Sequence, residues 1–314
     1  MADGTDSHFA IRTAEGIAAG PGTAYRVASI SKIVTGQTLA GVNLDQTAGP
    51  LLGFDLTHPS GKPVTLRHLA SHTASLGEDA LPVPPTRRLT DWIAEAPIWL
   101  DAPPGTYFSY SNLGYILLAA CAERLHRKPF ERITSQILNA WGVRGGFNWS
   151  GMDDATRRAG LPIFRRDGDS FLPQIDASEA DRLVPEPPGL NIARFSPQGG
   201  LRTSLRGLLA IARALPKLDA DPLWWQQSGP GDYLGGVFEH YGLGLQVFEE
   251  PTFYPRPLIG HFGNAYGFNG GVWFDAKADL CFAYALNGLE IGDEDDTFSE
   301  TELTIFDAMA RLKG

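Results

Sequence analysis

Ser29 and Lys32 stand three residues apart in Arg26-Val27-Ala28-Ser29-Ile30-Ser31-Lys32-Ile33-Val34-Thr35, where a short apolar approach led by Tyr25 passes into a helix-like run. Residues i and i+3 of a helix share a face, so the amine would sit beside the hydroxyl. A serine hydroxyl is a weak nucleophile at neutral pH. A neighbouring desolvated lysine can take its proton, and a helix N-terminus favours the negative charge that develops. The pair is therefore a candidate nucleophile and base. A capped helix with a solvated lysine uses the same residues, and Ser-x-x-Lys arises by chance about 0.3 times in a chain of this composition, so other residues must decide.

Two later clusters can join the pair. Tyr110-Ser111-Asn112 follows the rigid Pro103-Pro104-Gly105 turn and precedes Leu113 to Arg127, a run apolar on nearly every side through Cys121. A helix apolar all round is buried, and side chains at its start are held rigidly at the surface or a cleft. Tyr-Ser-Asn arises by chance with a probability of about 0.01, which adds weight to the serine and lysine; an ordinary turn and helix cap is the alternative. Gly260-His261-Phe262-Gly263-Asn264 ends an expected strand, where glycine lets a substrate approach the backbone and an N–H can stabilise an oxyanion. Alone it is a strand end. His68 and His72 have the i, i+4 spacing of helical metal ligands, but a catalytic zinc also needs a general-base glutamate between them and a third ligand. Neither is visible, so structural or site-rim histidines are expected, with no metal or cofactor. Cys121 and Cys281 lie in apolar runs and read as buried free thiols.

The elements that position these groups follow from periodicity and punctuation. Phe9-Ala10-Ile11 and Tyr25-Arg26-Val27, divided by glycines and Pro21, read as strand, turn, strand, and Ser29 to about Leu39 as the first helix. Leu89 to Ala96 is a short helix ended by Pro97; another, capped by Thr203 or Ser204, runs to about Leu215 before Pro216. Residues 145–190, rich in Gly, Pro and alternating charge, read as irregular loops covering something. From Tyr241 the chain turns to strands, at Leu243 to Phe248, Pro257 to Phe262, Gly271 to Phe274 and Leu280 to Leu286, with a hairpin over Asp275 to Asp279. Glu290 to Asp296 reads as a solvated acidic loop. A closing helix from about Ser299 sets Leu303, Phe306 and Ala310 on one face toward the sheet. The expected fold is α/β (α+β): an antiparallel sheet flanked by terminal helices, with an inserted all-α domain. Residues 1–40 and 195–314 would form the sheet domain and 41–194 the mostly helical insert, with the active site between them.

Composition bounds the partners. A net charge of −10 with 43% hydrophobic residues describes an acidic globular protein with a sizeable core, and an acidic surface does not suit nucleic acid or an anionic membrane. Met1 to Gly16 carry no basic n-region and no long apolar h-region, and no later run reaches ~18 apolar residues. A cytoplasmic protein acting on a small molecule is the expectation.

The order of Ser29-Ile30-Ser31-Lys32, Leu69-Ala70-Ser71-His72-Thr73, Tyr110-Ser111-Asn112, Gly199-Gly200-Leu201, Tyr241-Gly242-Leu243-Gly244 and His261-Phe262-Gly263 resembles the class C β-lactamase-like serine hydrolases. That family holds β-lactamases, DD-peptidases, esterases and D-amino-acid amidases, and the similarity runs from about Tyr25 to Leu286. It implies an α/β domain beside an all-α domain and a covalent acyl-enzyme on Ser29. Lys32 and Tyr110 would share the proton work: Lys32 as a cation would lower the pKa of the Tyr110 phenol, making it a base for Ser29 and then for the deacylating water. Asn112 would hold Lys32 and the acyl side of the substrate. The backbone N–H groups of Ser29 and of Asn264, just after Gly263, would form the oxyanion hole.

Departures from the family pattern bear on the substrate. The family's β-lactamases usually carry Lys-Thr-Gly where this chain has His261-Phe262-Gly263, and some of its peptidases and esterases have His there. Without the threonine hydroxyl and lysine charge a substrate carboxylate loses its receptor, leaving Arg202 and Arg256 as candidate substitutes. Thr73-Ala74-Ser75-Leu76 also replaces the usual Thr-Ser-Gly-Leu. The resemblance and Phe262 together point first to an esterase for small acyl esters. A D-amino-acid amidase or aminopeptidase, a β-lactamase or DD-peptidase, and a non-catalytic binding protein on the same fold are the alternatives.

Overall fold

The computed structural model describes residues 7–13, 18–79, 81–83, 87–175, 192–218, 225–226, 237–290 and 298–312. The chain runs through a short β1 (Tyr25–Arg26), a single 3-10 turn (Ala28–Ile30) and α1 (Ser31–Gln37). It then forms α2 (Gly49–Leu52), α3 (Leu66–Ala70), α4 (Leu89–Glu95), α5 (Asn112–His126) and α6 (Phe130–Ala140). Local chemistry sets their starts. Thr65 accepts from the His68 N–H while His68 accepts from the Thr65 N–H, a capping box that opens α3. Ser111 caps α5 by accepting from the Gly114 N–H. As expected of an all-round apolar helix, α5 is buried from Leu113 to Glu123, with α1, α2, α3 and α6 packed about it.

Beyond α6 come β2 (Gly145–Phe147), α7 (Asp154–Arg158), β3 (Ile163–Asp167) and β4 (Ser170–Ile175), so residues 145–175 are not the irregular loops expected. Gly168, with φ +59°, closes a β3–β4 hairpin whose charged, half-solvated strands carry little apolar alternation to reveal them. Residues 176–191 lie outside the described residues. β2 and β1 flank β5 (Leu201–Thr203) in a small sheet, and α8 (Leu205–Ala214) follows, capped by Ser204. The Phe9-Ala10-Ile11 burst forms no strand, and among the described residues β1 pairs with β5 alone.

The main sheet is a six-stranded antiparallel meander of β6 (Trp225–Gln226), β7 (His240–Gly242), β8 (Leu245–Phe248), β9 (Leu258–Ala265), β10 (Phe268–Asp275) and β11 (Leu280–Asn287). A short β12 (Leu289–Glu290) turns away to pair with β3, and the acidic residues 291–297 lie outside the described residues. Alternation divides the sheet's faces. Val272, Phe274, Ala283 and Ala285 join the main core on the face that carries α8. Trp273, Phe282 and Tyr284 meet Phe306 of α9 (Glu300–Ala310) on the other. Ser299 and Glu302 close a capping box on α9, and Glu302, buried, also accepts from the Tyr284 O–H at 2.8 Å. The inward stripe therefore runs through Glu302 and Phe306, and Leu303, expected to face the sheet, is 42% exposed. The architecture is the mixed α/β class expected, and no helix among the described residues is long and apolar enough to cross a membrane.

Two glycines lock α1 onto the β7–β8 turn. A Cβ on Gly36 would lie 2.1 Å from Leu243 O, and one on Gly244, at φ +82°, would lie 2.0 Å from Lys32 O. Backbone thus touches backbone at the helix that carries Lys32, which accounts for glycine at positions 36 and 244. Gly244→Ala is expected to destabilise the protein by about 3 kcal/mol, combining overpacking with left-handed strain. Gly53→Ala, at φ +77° in open space, is the control and should cost only about 1 kcal/mol. Urea denaturation of the two variants checks the difference.

Candidate active site

The site begins with a strained turn. Ala28 has φ +47°, a left-handed conformation that costs a non-glycine residue roughly 1–2 kcal/mol. The surroundings hold it there: Val27 N donates to Leu201 O (3.0 Å), Ser31 Oγ to Ala28 O (2.6 Å), and Leu201 N to Ser31 Oγ (3.0 Å). Ser29 follows, half-buried, in the 3-10 turn rather than the first α-helical turn. At three residues per turn, i and i+3 eclipse, so Lys32 still returns beside Ser29.

Lys32 has no exposed surface, and its Nζ touches Ser29 Oγ at 3.0 Å, Asn112 Oδ1 at 2.7 Å and Gln198 O at 2.9 Å. Burial drives its pKa well below the ordinary lysine value; the Glu78 carboxylate pulls it back up and the Arg26 charge pushes it further down. Asn112 is the first residue of α5. Its position is fixed by Ser111 and by Glu78, whose Oε1 accepts from Ser111 Oγ (3.0 Å) and from the Leu113 N–H (3.2 Å). Tyr110, just before, presents its ring face to Lys32, with Nζ 4.6 Å from the ring centroid.

Behind Tyr110 stands a layer of buried rings. His72, 1% exposed, lies with its centroid 4.3 Å from Tyr110, 4.9 Å from Tyr115 and 4.6 Å from Tyr241. Its Nδ1 accepts from the Ser111 N–H, and α3 has already ended at Ala70, so His68 and His72 do not form a helical ligand pair. Burial, then the Lys32 and His261 charges, hold the His72 pKa well below the usual histidine value. Glu239, His240 and Glu249 bring ligand atoms within 4.8 Å of one another on the partly exposed β7–β8 hairpin, apart from this constellation.

β9 supplies the opposite wall. His261, fully buried, donates from Nδ1 to Phe262 O and accepts the Tyr241 O–H at Nε2 (3.0 Å). Burial and the Lys32 charge push its pKa down to about 3 against the opposing pull of the Phe262 carbonyl. Phe262 is half-buried against Phe238 (centroids 5.6 Å) and Phe298 (5.9 Å). Gly263 lets the strand close on the Ser29 turn, since a Cβ there would lie 2.9 Å from Val27 O. Asn264 is exposed at the end of this run. The Phe262 N–H leaves β9 away from β10, to Gln246 Oε1 at 2.8 Å, and residues i and i+2 of a strand share an edge, so the Asn264 N–H leaves on that same side.

These groups come from segments far apart in sequence, in the order and architecture of one family. The family profile described as Beta-lactamase matches residues 10–302. The chain belongs to the beta-lactamase family. Among curated proteins, the D-alanyl-D-alanine-carboxypeptidase/endopeptidase AmpH of Escherichia coli (strain K12) is 29% identical over 136 residues, 38% of this chain and 35% of that protein. The match thus spans about a third of the relative's length. Among solved structures, D-amino acid amidase from Ochrobactrum anthropi SV3 in complex with L-phenylalanine amide has a TM-score of 0.66 at 18% identity, covering 94% of this chain and 85% of that one. Beta-lactamase/D-alanine carboxypeptidase from Yersinia pestis has a TM-score of 0.65 at 17% identity, covering 94% and 86%. Similarity at this identity shows the fold.

In this beta-lactamase family member, sequence reasoning brought Ser29, Lys32, Tyr110, Asn112 and His261 to one place but missed Glu78 and the Gln198 carbonyl. A backbone oxygen leaves no mark in the sequence, and Glu78, one of two adjacent acidic residues in a loop, looks like solvated surface charge. Arg256, weighed as a substrate receptor, bonds Asp275 and Ala310 O beside α9. Because the Glu78 charge raises the Lys32 pKa, Glu78→Gln should lower it further. NMR of 15N-labelled lysine should show the Lys32 amine titrating below the other lysines, and lower still in the variant.

Proposed function

We propose that the protein is a serine hydrolase that forms an acyl-enzyme on Ser29, acting as an esterase on small acyl esters. One observation carries the reading: Lys32 Nζ, without exposed surface, lies in contact with the Ser29 hydroxyl, where its uncharged form can act as a base. Asn112 Oδ1 and Gln198 O can only accept, and they take two N–H bonds; Ser29 Oγ, at 3.0 Å, is the partner that can donate to the lone pair. Burial favours the uncharged form that this requires.

Lys32 would accept the Ser29 proton as Oγ attacks the ester carbonyl, then pass it to the departing alkoxide as the ester C–O bond breaks. Water, giving its proton to the same amine, would release the acid and restore Ser29. This returns the base role to Lys32, as the Ser29–Lys32 spacing suggests, from the Tyr110 phenolate that the family resemblance implies, with Tyr110 covering the amine and sharing the proton path. The Ser29 and Asn264 N–H groups would hold the oxyanion, and Asn112 the amine and the acyl side of the substrate. Phe262, with Phe238 and Phe298, offers an apolar wall where the family's β-lactamases have a charged and a hydroxyl group, which supports an uncharged leaving group over a β-lactam carboxylate.

The setting would be cytoplasmic, and the site would lie between a sheet domain (1–40 and 195–314) and a mostly helical one (41–194), although β2 and β3 of the latter pair with β5 and β12. A D-amino-acid amidase is the second reading, suggested by the amidase among the structural relatives.

Intact mass after treatment with a fluorophosphonate should show one adduct, absent from Ser29→Ala and formed roughly 1,000-fold more slowly in Lys32→Met. Absence of the adduct in folded protein would overturn the enzyme reading. Assayed side by side, short p-nitrophenyl esters should outpace D-amino-acid amides and a chromogenic cephalosporin. Efficient turnover of the cephalosporin alone would overturn the argument from Phe262.

A further inference from the structure

We infer that Arg26 and Arg202 form a subsite for a carboxylate on the acyl portion of the substrate, an inference that rests on Ser29 being the nucleophile. The two residues are direct partners in the antiparallel β1–β5 pair, so their side chains leave the same face of that small sheet. Like charges placed directly opposite repel, and Arg202 is only 5% exposed. Neither arginine forms an ion pair among the described residues. The carboxylates that would ordinarily offset two adjacent cations are absent from their described surroundings.

What holds them is neutral. Arg26 donates from Nε to Gly199 O (2.6 Å) and from Nη2 to Ser196 Oγ (3.4 Å), with its guanidinium carbon 4.9 Å from the Tyr266 ring centroid. Arg202 donates from Nη1 to Gly200 O (2.7 Å) and lies 5.9 Å from the Trp149 ring centroid. Nη1 of Arg26, and Nε and Nη2 of Arg202, have no hydrogen-bond partner among the described residues. Burial, then the Arg26 charge, pushes the Arg202 pKa down to about 9, as expected of a cation short of a counter-ion.

The location ties this charge to the reaction. Arg26 is three residues before Ser29, and the carbonyl it holds, that of Gly199, adjoins Gln198, whose carbonyl holds Lys32. Tyr266, stacked on Arg26, is two residues beyond Asn264. The arginines thus border the segments that carry the nucleophile, its base and the second oxyanion donor. A carboxylate offers two oxygens to two planar guanidinium forks and neutralises charge that the described residues leave uncompensated. The favoured substrates become half-esters of dicarboxylic acids, or related acyl donors with a carboxylate a few bonds from the scissile carbonyl. The leaving group still faces the apolar wall at Phe262.

The test compares mono-p-nitrophenyl glutarate with p-nitrophenyl butyrate on the full chain, and separately measures the thermal shift given by free glutarate, neutral glutaramide and inorganic phosphate. The expected result is a kcat/KM at least tenfold higher for the glutarate ester and stabilisation by glutarate alone. In both Arg26→Gln and Arg202→Gln the ratio of the two kcat/KM values should fall toward one and the glutarate shift should vanish; a ratio is insensitive to a general loss of folded protein. Equal kcat/KM with no glutarate shift would overturn the subsite while leaving the Ser29 reading intact. Arginine-dependent glutarate binding without hydrolysis of either ester would overturn the Ser29 reading and keep the anion site. Stabilisation by phosphate equal to that by glutarate would reduce the pair to a general anion hole and overturn the carboxylate assignment.

Discussion

An amine without exposed surface must find its hydrogen bonds inside the protein, and that requirement at Lys32 organises the structure around it. Its three partners belong to residues 29, 112 and 198. Bringing them together demands the tight turn before α1, the cap on α5 and the loop before β5. Each is secured independently: Ser31 ties the turn to Leu201, Ser111 and Glu78 fix the start of α5, and Thr35 Oγ1 donates to Pro197 O at 2.7 Å to hold the loop. A buried ammonium costs far more than a buried amine, so burial favours the uncharged form of Lys32.

The same region carries backbone strain. Ala28 (φ +47°), His72 (+56°), Ser196 (+50°) and Leu243 (+47°) are left-handed non-glycine residues, and each lies in a segment that borders Lys32 or the rings behind it. Such conformations cost roughly 1–3 kcal/mol each and persist only where neighbouring bonds over-determine them. Here the hydrogen bonds of Ser31 and Ser111 and the close glycine contacts at Gly36 and Gly244 do so. These bonds and contacts hold Ser29, Lys32 and Asn112 in one arrangement, as a reaction at fixed distances would need.

Much of this was legible in the chain because the chemistry-bearing residues sit at element ends with strong local signals. Ser29 and Lys32 share a turn spacing, Asn112 opens an unusually apolar helix, and His261 to Asn264 close an apolar strand. What could not be read was whatever depends on conformation or register. The φ of His72 breaks the helical pairing that its spacing from His68 suggests. Gln198 acts through a carbonyl that any residue would supply. The Arg26–Arg202 pairing exists only once β1 meets β5. The strands within residues 145–175 escaped because charge on a half-solvated hairpin looks like a loop, and Leu303 fell outside the helix stripe because Glu302, a polar residue, occupies the buried position.

The central claim is that a neutral, buried Lys32 takes the proton from Ser29. The most direct measurement is the second-order rate constant for phosphonylation of Ser29 followed across pH, since that step needs the nucleophile and base but no natural substrate. The account predicts a single acid limb whose midpoint coincides with the titration of the Lys32 amine, well below an ordinary lysine, with a plateau above it. A rate that passes through that midpoint unchanged, or rises only near the ordinary lysine value, would contradict it.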